Sequence, residues 1–183
     1  MKKTALILSI IINALIIRSY GQDEGSFRLM ITGEKLDIRP TDFHAMGIEG
    51  QYFVSPAVSL NYQYSLGWNG EGEYYFHYPA LAAGILLVGF IDELALLSMM
   101  FPEGVSYHTY PRDWLEVEVY MHPLSTDINI LGNNNLTMTG SLGMRMHLKI
   151  GDSISIAPHT GLKYIYSRNI FGQVTGVSLG FIF

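Results

Sequence analysis

The sequence predicts an all-β chain, an antiparallel transmembrane β-barrel of eight strands with one inserted apolar helix. Three observations point there. Long stretches alternate apolar and polar residues with a period of two. Very short connections alternate with longer ones. One face of the stretches is almost uniformly aliphatic or aromatic, while the other mixes small, polar and charged residues.

The period-two stretches come in order. Phe27, Leu29 and Ile31 alternate with Arg28 and Thr32. Met46, Ile48, Tyr52 and Val54 alternate with Ala45, Gly47, Glu49 and Gln51. Across residues 58–68 the even positions are Val, Leu, Tyr, Tyr, Leu and Trp, and the odd ones Ser, Asn, Gln, Ser and Gly. Val105, Tyr107 and Thr109 against Ser106 and His108 make a weaker stretch. Leu115, Val117, Val119 and Met121 alternate with Glu116, Glu118, Tyr120 and His122. Residues 136–150 and 154–166 are the longest, and Val177, Leu179, Phe181 and Phe183 close the chain. Only a strand sorts residues this way, because successive side chains point to opposite faces.

Connections at Ser55-Pro56, Pro111-Arg112-Asp113 and Gly151-Asp152 are very short. Those between stretches one and two, three and four, and five and six are longer and polar or Gly-rich, as in Gly132-Asn133-Asn134-Asn135; Arg168 to Gly172 makes the last. A transmembrane barrel has this asymmetry of tight turns at one rim and longer loops at the other. The uniform apolar face settles which side meets lipid. An eight-stranded barrel is too narrow to hold so many large apolar side chains, so they face hydrocarbon and the polar set fills the lumen. Tyr64, Trp68, Tyr164 and Tyr166 then mark one lipid interface, and Tyr52, Phe181 and Phe183 the other.

The 183 residues suffice for one domain, and 49% hydrophobic against 15% charged is too apolar for disorder. A net charge of −5 offers nucleic acid no basic face, so no nucleic-acid partner is expected. The absence of Cys excludes disulfides, thiolate metal sites, a Cys nucleophile and lipid attachment at an N-terminal Cys. Lys2 and Lys3 followed by the apolar run from Ala5 to Ile17 read as a secretory signal, with Ser19 and Gly21 as small residues before a cleavage at Gln22. The run is shorter than the roughly 20 residues of a spanning helix. Residues 1–21 are thus assigned as signal peptide and 22–183 as barrel domain.

With its leader, its eight alternating stretches and its terminal Gly-Phe-Ile-Phe, the chain resembles the small eight-stranded outer-membrane β-barrels of Gram-negative bacteria. The resemblance covers about residues 26–183. It implies location in the outer membrane and contact with outer-membrane lipid. It also implies recognition by the barrel-assembly machinery through the last strand, where Phe181 and Phe183 match the alternating aromatic signal.

Residues 79–101 depart from the simplest members. They form a Leu- and Ala-rich run, interrupted by Asp92 and Glu93, that favours helix. Two adjacent carboxylates argue against a spanning helix. Two placements fit. Either the helix lies in the second external loop, or residues 73–78 form strand four through an Asn69-Gly70-Glu71-Gly72 turn and the helix lies on the periplasmic side.

The inward parity carries Arg28, Glu49, Glu116, Glu118, Arg145 and Lys163, with Lys149 nearby. Buried charges need partners, so these read as a structural luminal network; an ion path is the alternative. Inward His108, His122, His147 and His159 lie on four strands with no ligand spacing, which favours hydrogen bonding over a metal site. Glu116 and Glu118 lack the substrate access a hydrolytic pair needs. There is no GxSxG motif, and His44 near Asp42 on the lipid-facing parity has no matching Ser. No catalytic residue, metal or cofactor is expected. The reading is a non-enzymatic outer-membrane barrel with a structural or surface-interaction role. A narrow solute channel and a lipid-modifying barrel enzyme are the alternatives. Intact-mass measurement of the membrane-fraction protein should give a chain beginning at or near Gln22; a mass retaining residues 1–21 would overturn the leader assignment.

Overall fold

The computed structural model describes residues 24–79, 102–128 and 136–183, all within one antiparallel sheet closed into a barrel. The strands are β1 (Phe27–Ile38), β2 (Thr41–Ser55), β3 (Val58–Trp68), β4 (Tyr74–Pro79), β5 (Gly104–Arg112), β6 (Leu115–Ile128), β7 (Leu136–Ile150), β8 (Ile154–Ile165) and β9 (Ile170–Ile182). Closure comes from β1 and β9, paired from Arg28 opposite Ile182 to Asp37 opposite Gln173. Phe27 and Phe183 exchange backbone hydrogen bonds of 3.2 and 2.9 Å, so both described termini lie at one rim, the termini end.

Nine strands make eight staves. β4 pairs the far half of β3, from Ser65 opposite His77 to Trp68 opposite Tyr74, and β5 pairs the near half, from Val58 opposite Tyr107 to Asn61 opposite Gly104. On the other side β6 takes both in the same order. β4 and β5 are therefore two pieces of one stave running in one direction. Of the two placements expected for residues 79–101, the one that makes residues 73–78 a strand through the Asn69–Gly72 turn has its strand and turn, as β4 and residues 69–73. What differs is that β4 fills only part of a stave, so the chain leaves the wall after Pro79 and rejoins it at Gly104 part-way along that stave rather than at a rim. Of the helix expected over residues 79–101, Pro79 is the last residue of β4 and the rest lies outside the described residues, as do the leader and residues 129–135.

The faces follow the alternation. Outside lie Met46, Ile48, Leu142, Met144, Leu162 and Val177, between 47% and 59% exposed. A soluble protein cannot leave so continuous an apolar belt in water; it is a lipid-facing surface, and the closed sheet pairs its backbone as hydrocarbon requires. Aromatics flank the belt. Tyr74, Tyr166 and Phe171 stand at the far end, and Tyr52, Trp114 and Phe183 at the termini end. Tyr64 does not join the far girdle: it sits well inside β3, opposite Ile48.

The expected long connections are also corrected. β1 and β2 run on to Ile38 and Thr41, leaving a two-residue turn, while β3–β4 and β8–β9 are joined by residues 69–73 and 166–169. The cause is physical. Beyond the hydrocarbon the outward face meets water, so Lys35, Asp37, Asp42 and His44 can point outward and the apolar–polar contrast that marks a strand disappears. Asn69 closes its turn by accepting from the backbone N–H groups of Glu71 (3.0 Å) and Glu73 (2.9 Å).

Inside, glycines make room for large luminal side chains. A Cβ on Gly67 would stand 1.9 Å from the Tyr75 ring, and one on Gly143 would stand 2.3 Å from the Tyr120 hydroxyl. The far end of the lumen is filled by an apolar cluster of Leu36, Ile38, Phe43, Ala45, Tyr75, Ile165 and Val174, in which Phe43 meets Tyr75 edge-on at 5.2 Å.

The two faces should respond differently to substitution. Leu142→Arg, outward on β7, should cost about 2–4 kcal/mol near mid-bilayer, while Ser141→Thr, inward and one step away, should be nearly neutral. Urea titration in lipid vesicles measures both; equal effects would mean the faces are reversed.

Candidate functional site

The lumen between the apolar far-end cluster and the termini end holds charged and polar side chains that hydrogen-bond to one another. Arg28, Glu49, Glu116, Glu118, Arg145 and Lys163 all point inward and are between 0% and 7% exposed. Strand parity delivers them there, one or two per stave.

Two arginines organise the near half. Arg28 on β1 donates to both oxygens of Glu116 on β6 at 2.8 and 2.7 Å and lies 5.2 Å from the centre of the Phe53 ring. Arg145 on β7 donates to both oxygens of Glu49 on β2 at 3.0 and 2.7 Å, reaches Glu118 at 3.2 Å, and lies over Tyr120 at 5.0 Å. The planar guanidinium suits such two-point contacts, which fix orientation as well as charge. Gln51 joins the two groups, accepting from Arg28 at 3.2 Å and donating to Glu118 at 2.7 Å and Glu49 at 3.1 Å. Staves on opposite sides of the barrel are thus tied through its axis.

A second group lies nearer the far end. Lys163 on β8 meets Asp127 at 2.8 Å and lies over the Tyr75 ring at 5.5 Å, which links the charges to the apolar cluster. His77 bridges Asp127 at 2.8 Å and Glu103 at 2.9 Å, and Ser125 donates to Glu103. His159 pairs with Glu34 at 3.2 Å. Glu34, His77, Glu103 and Asp127 were not among the residues expected here. Glu34 and Asp127 fell in stretches read as connections, and Glu103 borders the 80–101 segment, where parity gives no guide.

Glu103 also mends the wall. Between β4 and β5 the backbone N–H of Gln63 has no strand opposite; the Glu103 carboxylate accepts from it at 3.2 Å, while the Glu103 N–H donates to the Asn61 carbonyl at 2.8 Å. An unpaired buried backbone group costs free energy comparable to a lost hydrogen bond, so this side chain does the work of a missing ladder bond.

The histidines divide similarly. His108, His122, His147 and His159 all point inward, each against a carboxylate: Glu116 at 2.8 Å, Glu103 at 3.5 Å, Glu118 at 2.7 Å and Glu34 at 3.2 Å. Ser59, His108 and Glu116 make a carboxylate–imidazole–hydroxyl chain, with Ser59 Oγ 2.8 Å from His108 Nε2. That order of groups serves acyl transfer when the hydroxyl can reach an ester. Here Ser59 is fully buried, donates to Asn61 at 3.0 Å, and Glu116 is already engaged by Arg28. The chain acts as a strut between β3, β5 and β6. His44 stays on the outer face opposite Trp68, and Asp42 pairs with Lys35 at 2.6 Å. Phe181 near the end of β9 and Phe183, one residue past it, share the outward parity, with Phe183 76% exposed.

Removing one partner strands the other in a buried site, at a cost of about 3–5 kcal/mol. Arg145→Ala and Glu116→Ala should each lower barrel stability by that order in urea unfolding from lipid vesicles. The double variant Arg28→Met with Glu116→Leu should cost less than Glu116→Ala alone. Unchanged stability in both single variants would remove the network from any account of the fold.

No protein-family model and no curated protein matches this sequence. Solved structures do match in shape. The N-terminal β-barrel domain of Pseudomonas aeruginosa OprF superposes with a TM-score of 0.59 at 14% identity, covering 88% of this chain and 100% of that one. Neisserial surface protein A gives 0.55 at 7% identity, covering 85% and 95%. Ail, the attachment invasion locus protein of Yersinia pestis, gives 0.51 at 7% identity, covering 87% and 99%. At such identities the likeness is one of fold, and the fold is the eight-stave antiparallel barrel of small outer-membrane proteins.

Proposed function

We propose that the protein is a closed, non-enzymatic barrel of the outer membrane whose role is structural. The observation that carries this reading is the filled lumen. Charged side chains from β1, β2, β6 and β7 meet at the axis of the near half, and an apolar cluster fills the far end. An eight-stranded barrel is just wide enough for its side chains, and each luminal pair occupies volume that water would need. The channel alternative needs a continuous path past these luminal ion pairs and past the far-end cluster. For the enzymatic alternative, His44 has Lys35 and Trp68 as its cross-strand neighbours, with no Ser opposite it among the described residues, and Ser59 is buried.

A surface-interaction role would need a platform. Among the described residues the far-end connections are residues 39–40, 69–73 and 166–169, too short to build one. With the leader removed, the termini end faces the periplasm. Phe181 and Phe183, at the end of a lipid-facing strand, are placed to be read by the barrel-assembly machinery.

Planar-bilayer recording of the purified, refolded protein tests this reading. The wild type should show no steady conductance step. A reproducible ion-selective step would overturn the closed-barrel reading and establish the channel.

A further inference from the structure

The lipid-facing belt is not apolar all the way round. None of the outward positions of β7, from Leu136 to Ile150, is polar. On β9 the outward order is Phe171, Gln173, Thr175 and Val177. Phe171 stands in the far girdle, 66% exposed. Gln173 and Thr175 lie two and four residues further into the belt, and both are exposed on the outer face. At a strand tilt of about 40° those steps are depths of about 5 and 10 Å below the girdle.

The polar side chains around this point are answered within the barrel. Lys35, opposite Thr175, closes an ion pair with Asp42 at 2.6 Å. Thr160, on the other side of Thr175, donates its hydroxyl to the Val174 carbonyl at 3.3 Å. Gln173 is the exception: its side chain has no hydrogen-bond partner among the described residues. A primary amide carries two donors and two acceptor lone pairs. Acyl chains satisfy none of them. Whatever covers Gln173 must bring a polar group of its own below the girdle.

A second copy of this chain brings the matching group at the matching depth. A primary amide is its own complement, because two of them face to face exchange two N–H···O bonds. Between membrane-spanning segments, polar side chains bond across the contact and small residues let the backbones approach. Gly33 supplies the second feature. It is outward on β1, and a Cβ there would have only the Val177 carbonyl oxygen, 3.9 Å away, close by. A two-fold axis sets one patch against itself, which is the commonest arrangement of identical subunits. We propose that β9 is the centre of a two-fold contact between copies of this chain in the membrane, with Gln173 of each copy hydrogen-bonded to Gln173 of the other. The proposal rests on the membrane-spanning reading of the barrel.

The absence of Cys makes the test direct. Asp152→Cys, in the turn between β7 and β8, takes a donor or an acceptor dye. The protein is refolded into lipid vesicles, its barrel is verified by heat-modifiable gel mobility, and energy transfer is followed as lipid is added. With otherwise wild-type protein, transfer should fall with dilution as a monomer–dimer equilibrium requires. Gln173→Leu keeps the bulk and removes the amide, so it should fold as the wild type does and associate about tenfold more weakly. In a second measurement Asp37→Cys, opposite Gln173, should cross-link to itself through a short bis-maleimide. Tyr74→Cys, at the same end but four staves from β9, should not. No energy transfer at any lipid ratio, association unchanged in Gln173→Leu, or equal cross-linking at Tyr74→Cys would overturn the proposal. So would a monomer that retains a glycolipid lost in Gln173→Leu, which would make a lipid the occupant. A wild-type chain without the heat-modifiable form would instead count against the barrel reading beneath it.

Discussion

A barrel of eight staves has an interior that side chains alone can fill, and the rest of the structure depends on that constraint. No bulk water is available to solvate a charge placed there. Every inward Arg, Lys, Asp or Glu must find its counter-charge within the lumen. The bidentate contacts of Arg28 with Glu116 and of Arg145 with Glu49 answer that demand. Each spans the lumen and ties strands that share no backbone ladder. The network thereby sets the mutual position of the staves, while the ladder sets only the neighbour order. The imidazoles extend the same logic. Arg28, Arg145, Lys163 and Lys149 face six carboxylates, Glu34, Glu49, Glu103, Glu116, Glu118 and Asp127, and the histidines stand beside those carboxylates.

Much of this was legible in the sequence because hydrocarbon imposes a contrast that composition can show. Inside the bilayer an outward residue must be apolar and an inward one need not be. Residues 58–68 and 136–150 could therefore be assigned to their faces residue by residue, and the six expected luminal charges lie where parity puts them. The contrast ends where the strand leaves the hydrocarbon. Lys35 and Asp37 are outward and Glu34 inward, yet all are polar, so the far third of β1 and the start of β2 read as a loop. The error in loop length follows from the solvent, not from any weakness of the strand.

The split stave was illegible for a different reason. Residues 74–79 and 104–112 each carry a short alternation, and the sequence supplies two candidate strands for one place. Neighbour pairing decides: β3 and β6 each have a far half and a near half to satisfy, and only both pieces together do so. Glu103 could not be assigned a role without that geometry. Its side chain points inward although it sits one residue from inward-pointing Gly104, because the chain there is re-entering the wall and has not yet taken up strand parity.

Glycine content reads differently once the lumen is seen as a packing problem. Tyr75 and Tyr120 are two of the large inward aromatic side chains, and each lies across a glycine of a neighbouring stave, Gly67 and Gly143. Nothing in either stretch alone announces such a pairing, since both partners sit on the inward parity of different strands. The same principle reaches the outer face. Gly50 removes a side chain from the lipid-facing belt, and the Phe27 ring leans to within 2.9 Å of where its Cβ would be. Lipid chains can fill a gap of any shape, so a gap in the belt carries no penalty by itself.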